Sequence, residues 1–161
     1  MDQVFLFMFS LAAISAAAGL GTSCKSEWTE YAGKCYRFEN QFRQTWEEAE
    51  GICQAENGHL VSIGSEAEDT WLYNWWVSML APLEGDRYEY FWTGFNDIDQ
   101  EGEWIWSDGA AVTFTLWGGT QPDGGIASNC GTMVTKYPDE TGKWDDGNCE
   151  AKRAYICETD L

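Results

Sequence analysis

The sequence predicts an α+β domain: two helices, then a series of short strands, with disulfides stapling the chain. Three observations predict it. Two helix-capping sequences, Thr45-Trp46-Glu47-Glu48 and Ser65-Glu66-Ala67-Glu68, each lead into apolar residues at helical spacing. From Tyr88 onward the pattern changes to short aromatic and β-branched runs. The six Cys, at 24, 35, 53, 130, 149 and 157, are an even set, which in a secreted chain implies disulfides.

The elements follow in chain order. Residues 4–14 are almost wholly apolar, and Ala16, Ala17, Ala18 and Gly19 follow. This reads as a secretion signal over residues 1–21, cleaved near 18–21, although Asp2 stands where a basic residue is usual. The run is too short for a comfortable membrane span, and no later stretch reaches spanning length. The mature domain is therefore expected to be residues 22–161, secreted and extracellular. Residues 22–42 read as a hairpin, with Trp28, Tyr31, Tyr36 and Phe38 flanking turn residues Gly33 and Lys34. Thr45 caps a helix carrying Trp46, Ala49, Ile52 and Cys53, which ends at Asn57-Gly58. Leu60, Val61 and Ile63 form a short strand. The second helix, to residue 80, carries Trp71, Leu72, Trp75, Trp76 and Met79 toward the core. Residues 82–87 form a loop, and 90–95 and 103–106 are strands. Residues 107–130, rich in Gly, Thr, Ser and Asp, read as long functional loops. Strands at 133–135 and 154–157 close the domain.

Composition narrows the function. The 161 residues suit one domain. Ten Trp and 44% hydrophobic residues supply a core, which excludes a disordered acidic chain. A net charge of -18 repels nucleic acid and anionic membranes and suits divalent cations or basic partners. Spacing alone does not choose among the fifteen pairings of six Cys. Zinc is disfavoured: there is no Cys-x-x-Cys pair and His59 is the only histidine. No hydrolase elbow, metalloprotease helix or phosphate loop occurs, so no enzyme is expected. There is no Asn-x-Ser/Thr acceptor for N-glycosylation.

The chemistry concentrates near the C-terminus. Gln121-Pro122-Asp123 and Trp144-Asp145-Asp146 offer one amide oxygen and three carboxylates. Calcium takes six to eight oxygen ligands and suits such a set. A bridge between Cys130 and Cys149 would hold both triplets on one loop-rich surface.

These residues resemble a C-type lectin-like domain in its long form, with an extra N-terminal hairpin. The resemblance spans residues 24–158. It is carried by Cys24 and Cys35 around the hairpin, the Thr45 helix leading to Cys53, and Phe91-Trp92-Thr93-Gly94-Phe95 in place of a Trp-Ile-Gly-Leu type strand. The triplet Gln121-Pro122-Asp123 is of the galactose type. Trp144-Asp145-Asp146 stands for Trp-Asn-Asp, and Tyr155-Ile156-Cys157-Glu158 resembles the terminal strand. The resemblance implies two helices packed on antiparallel sheets, a long calcium-binding loop region and the pairs Cys24–Cys35, Cys53–Cys157 and Cys130–Cys149. It also implies a cis peptide before Pro122.

By the same resemblance Gln121, Asp123, Asp145 and Asp146 hold Ca2+. Gln121, Asp123, Ser128 and Asp145 exchange hydrogen bonds with two vicinal sugar hydroxyls. Two positions depart from the pattern: Ser128 replaces Glu and Asp145 replaces Asn. Total acid charge is preserved, while donor and acceptor change places at the second hydroxyl, because a carboxylate only accepts. Asp97 and Glu101 stand at an auxiliary calcium site whose other usual acids appear as Gly124 and Asn129. No aromatic follows the triplet, where Gly124-Gly125-Ile126 stands; Trp117 or Tyr137 could substitute as the sugar-facing ring, although packing in the core or loop is the plainer role for Trp117. Affinity per sugar is then low, and an oligomer would supply avidity. The implied function is a calcium-dependent lectin for galactose- or N-acetylgalactosamine-type glycans, with a role in innate immune recognition. The alternative is a domain without sugar binding, serving as a secreted structural, matrix or protein-binding module.

Overall fold

A computed structural model describes residues 23–80, 89–134 and 142–161. The expected secretion signal, the 82–87 loop and Tyr137 lie outside the described residues.

Strands β1 (Thr29–Tyr31) and β2 (Lys34–Gln44) form the expected hairpin. Its two loop residues are Ala32 and Gly33, with φ of 50° and 85°. Positive φ at both positions gives the turn whose twist matches paired strands. Lys34, expected in the turn, instead opens β2 opposite Tyr31.

Helix α1 (Trp46–Ala55) starts with the full capping box between Thr45 and Glu48. It ends with Asn57 at φ 65°. The Gly58 and Asn57 N–H groups bond back to the Cys53 and Gln54 carbonyls, which satisfies the last helical acceptors. Gly58 is required there, because a Cβ would lie 2.1 Å from the Glu158 carbonyl oxygen. The chain can then enter β3 (His59–Leu60) against the last strand.

Helix α2 (Glu66–Met79) makes only half of its expected box. Ser65 Oγ accepts the Glu68 N–H. The Glu68 carboxylate accepts instead from the Tyr36 hydroxyl at 2.6 Å and from the Gly64 N–H at 2.9 Å. That choice ties the helix start to β2. Leu72 and Trp76 are fully buried, whereas Trp71 and Trp75 are half-buried. Trp71 stacks between Tyr31 at 4.2 Å and Trp75 at 5.2 Å, clamping the hairpin onto α2.

The remaining strands are β4 (Tyr90–Asn96), β5 (Ile105–Trp106), β6 (Cys130–Val134), β7 (Trp144–Gly147) and β8 (Arg153–Asp160). They complete one eight-stranded sheet of order β1-β2-β8-β4-β6-β7, with β3 on β8 and β5 on β4. One pairing, β4 with β8, is parallel; the others are antiparallel. The expected 103–106 strand shortens to two residues. Conversely, β7 contains Asp145 and Asp146, which intrinsic strand preference disfavours, so tertiary pairing with β6 decides it.

All six cysteines are paired, as Cys24–Cys35, Cys53–Cys157 and Cys130–Cys149. One core cluster, around Trp76, Phe91, Phe95, Trp106 and Trp144, fills the space under α2. A second, around Trp46, Leu60, Trp92 and the Cys53–Cys157 bridge, sits under α1.

Candidate functional site

The site begins with Trp144. This fully packed residue donates its indole N–H to Asp69 Oδ1 of α2 at 2.7 Å. Its backbone N–H bonds the Leu116 carbonyl at 2.9 Å, and its carbonyl accepts from Gly118 at 2.8 Å. The loop at 116–118 therefore lies along β7, and a further bond from Gln121 N–H to the Gly118 carbonyl starts the turn carrying Gln121, Pro122 and Asp123. The Gln121–Pro122 peptide is cis.

Asp146, on the same strand, completes the turn. It is 8% exposed, and its two carboxylate oxygens each accept a backbone N–H at 2.8 Å, from Asp123 and from Gly124. Gln121 Oε1 accepts the same Asp123 N–H at 3.1 Å. The two triplets, 23 residues apart by Asp123 and Asp146, thus meet through one shared amide. Gly124 is pressed into the junction. A Cβ there would lie 2.3 Å from Ser128 Cβ and 2.5 Å from Asp146 Oδ2. Ser128 is therefore drawn into the same place, and its N–H closes a short 3-10 turn (Gly125–Ala127) on the Gly125 carbonyl.

Asp145 stands on β7 opposite Thr132, whose hydroxyl donates to its backbone carbonyl at 3.1 Å. Burial first, and then the neighbouring Asp146 carboxylate, push its own carboxyl up from the usual range, with Asp123 adding a smaller push. Arg153 opposes this shift. That guanidinium is stacked on the Tyr90 and Trp92 rings, 4.4 and 4.7 Å from their centroids. Sequence reasoning missed Arg153, because nothing near it in the chain signals a site. A buried carboxyl raised by two neighbouring carboxylates is the kind of group a cation relieves. Their oxygens, with the Gln121 amide, are hard donors of the type calcium takes. Among the described residues, however, no group of three or more His, Cys, Asp or Glu side chains is arranged to hold a metal ion. Asp146 already spends one lone pair of each oxygen on a backbone amide.

Trp117 is brought near the site but packs inward. Its ring lies 4.7 Å from Trp104 and 5.6 Å from Phe95, in the aromatic cluster with Trp144. Asp97 is 2% exposed. Its Oδ2 accepts the Gly102 N–H at 2.8 Å, and its own N–H bonds the Asn129 carbonyl at 3.1 Å. Asp97 Oδ1 and Asn129 Oδ1 are buried without a hydrogen-bond partner. Glu101 Oε1 would lie 4.0 Å from a Cβ on Gly125, so its loop borders the triplet turn. His59 bonds Glu50 across the α1–β3 corner, as a structural histidine does. Among the described residues no helix is long and apolar enough to cross a membrane.

The comparisons agree with this architecture. Over 135 residues, 81% of this chain and 77% of the relative, the chain is 39% identical to the alpha-N-acetylgalactosamine-specific lectin of Patiria pectinifera. The mouse scavenger receptor C-type lectin carbohydrate-recognition domain superposes with a TM-score of 0.70 at 29% identity, covering 86% of this chain and 98% of that one. A calcium-independent type II antifreeze protein superposes with a TM-score of 0.72 at 28% identity, covering 86% of this chain and 95% of the other. Residues 42–159 match the C-type lectin domain family, and the chain belongs to it.

Proposed function

We propose that this chain is a calcium-dependent lectin for galactose- and N-acetylgalactosamine-type glycans. One observation carries the reading: the Asp123 N–H is shared by Gln121 Oε1 and Asp146 Oδ1, which seats both triplets on one surface beside Asp145. The Patiria relative's N-acetylgalactosamine specificity, at 39% identity, supports the sugar class. Gln121, Asp123, Asp145 and Asp146 would hold the ion. A bound calcium supplies open coordination positions for two vicinal hydroxyls. The chain's own part is hydrogen bonding. The Gln121 amide donates and accepts, Asp123 and Asp145 accept, and Ser128 donates. Because the acids alone do not close a cage, the ion would draw on the Gln121 oxygen and on the sugar itself. Trp117 serves by packing behind the turn rather than by stacking on sugar. The orphaned oxygens of Asp97 and Asn129, with Glu101 nearby, support an auxiliary calcium site. Three disulfides fit the oxidising, extracellular location that residues 1–21 suggest, and a binding role without catalysis. Innate immune recognition is the setting this chemistry suits, with an oligomer supplying avidity.

The test is retention on galactose-agarose with and without a chelator. Retention that needs calcium supports the lectin. Retention without calcium, or none, favours a second reading, a structural or protein-binding module. The similarity to a calcium-independent antifreeze protein and the net charge of -18 are what favour that alternative.

A further inference from the structure

We propose that Arg153 sets the calcium affinity of the triplet site: it is a fixed cation that steadies the β7 acids without the ion and opposes the ion when it binds. This rests on the calcium reading above, and Arg153 is a positioning residue in it, not a ligand. Its guanidinium stays charged at any ordinary pH. A positive charge held beside a set of carboxylates favours the empty set and weakens its attraction for a second cation.

The placement of the guanidinium carries the assignment. Asp145 and Gly147 lie two residues apart on β7, so they face the same side of the sheet, their Cα atoms separated by roughly 6–7 Å of strand. A Cβ on Gly147 would lie 2.8 Å from Arg153 Nη2 and 3.4 Å from Trp92 Cη2. The guanidinium therefore rests against the bare backbone of Gly147, one pleat along from Asp145. The Tyr90 and Trp92 rings, 4.4 and 4.7 Å away, hold it there, a use of aromatic faces that suits the planar Arg head. Among the described residues, Arg153 Nη1 is buried without a hydrogen-bond partner, so this charge is not consumed by a close neighbour. Burial makes the guanidinium harder to keep charged, and Tyr90 and then Asp145 favour its charge. Asp145 in turn has Arg153 as the base that opposes Asp146 and Asp123. Three acids thus share one internal cation. The consequence is a site that stays assembled without calcium and holds the ion weakly, as extracellular modules do at roughly 10⁻⁴–10⁻³ M.

Calorimetric titration with CaCl2, with thermal melts in chelator and in calcium, tests this on wild type, Arg153→Met, Arg153→Gln and Arg153→Lys. The Met and Gln variants remove the charge, whereas Lys keeps it without the planar head. Both neutral variants are expected to bind calcium at least roughly threefold more tightly than wild type. They should melt lower than wild type in chelator and gain more melting temperature from calcium than wild type does. Arg153→Lys should restore the wild-type calcium affinity, even where lost stacking lowers its melting temperature. A gain under roughly threefold in the folded neutral variants, or an equal gain in the Lys variant, overturns the assignment and leaves Arg153 a packing residue. Neutral variants that fail to fold in saturating calcium also overturn it, because the ion should take over the charge that Arg153 supplies. Absence of calcium binding by the wild type overturns the calcium reading itself and is a separate, recognisable outcome.

Discussion

Replacing Gly124 by Ala tests the geometry of the triplet site with one methyl group. Gly124 has φ −85°, which any residue adopts, so the backbone is not strained by the change. The Cβ alone acts. It would fall 2.3 Å from Ser128 Cβ and 2.5 Å from Asp146 Oδ2, well inside contact distance. Ser128 Cβ cannot swing away without its backbone, so the turn must move. The bond from Gly124 N–H to Asp146 is the first to break. A hydrogen bond to a charged group contributes about 1.5–3 kcal/mol. At about 1.4 kcal/mol per decade, calcium affinity should fall roughly ten- to a hundredfold. The core is untouched, so the melting temperature should drop by no more than about 10 °C. Calorimetric titration with CaCl2, galactose-agarose retention and a thermal melt read all three quantities. A folded Ala variant within twofold of wild type in calcium and sugar binding would refute the placement of Gly124 against the Asp146 carboxylate.

Three further outcomes are expected. Asp145→Asn exchanges an acceptor for a donor and removes one of three acids, so calcium should bind more weakly and sugars should change rank in a competition assay; unchanged affinity and rank would remove Asp145 from the site. Replacing Cys53 and Cys157 together by Ala opens a loop with a separation of 104 residues. The chain-entropy model gives a loss of about 4–5 kcal/mol, and a loss under about 1 kcal/mol in urea unfolding contradicts it. Burial pushes the Asp69 carboxyl up to about 6, despite the Trp144 hydrogen bond it accepts and the nearby Lys143 charge. The folded state therefore holds this proton more tightly than the unfolded chain, and the penalty for ionising Asp69 grows as pH rises from about 4 to about 6. Asp69→Asn, which can still accept from Trp144, should remove that part of the pH dependence, on the order of 3 kcal/mol, and a stability–pH curve that keeps its slope would refute the buried carboxyl.

Much of this architecture was legible because local chemistry and tertiary packing agreed. Thr45 and Glu48 cap α1 in the structure as their spacing predicts, since both partners lie within one turn. Asn57-Gly58 ends that helix because only a left-handed residue followed by a bare backbone satisfies both the last carbonyls and the approach of β8. Where neighbours in space overruled neighbours in sequence, reading failed. Glu68 turned to Tyr36 rather than to Ser65. The acids of β7 became a strand because β6 offers a ladder. The partners of Trp117, Trp104 and Phe95, are hidden by sequence distance.

The chain alone determined the inventory: which oxygens exist, how many cysteines can bridge, where helices start and stop. These follow from side-chain chemistry and short-range hydrogen bonding. Only the tertiary structure decided that Asp146 reaches the Asp123 and Gly124 amides and that Arg153 faces Asp145. The Asp146 bonds span 23 and 22 residues, and the Arg153–Asp145 approach crosses the end of β7 into β8. Their closeness is set by disulfides and sheet register, which no local pattern encodes.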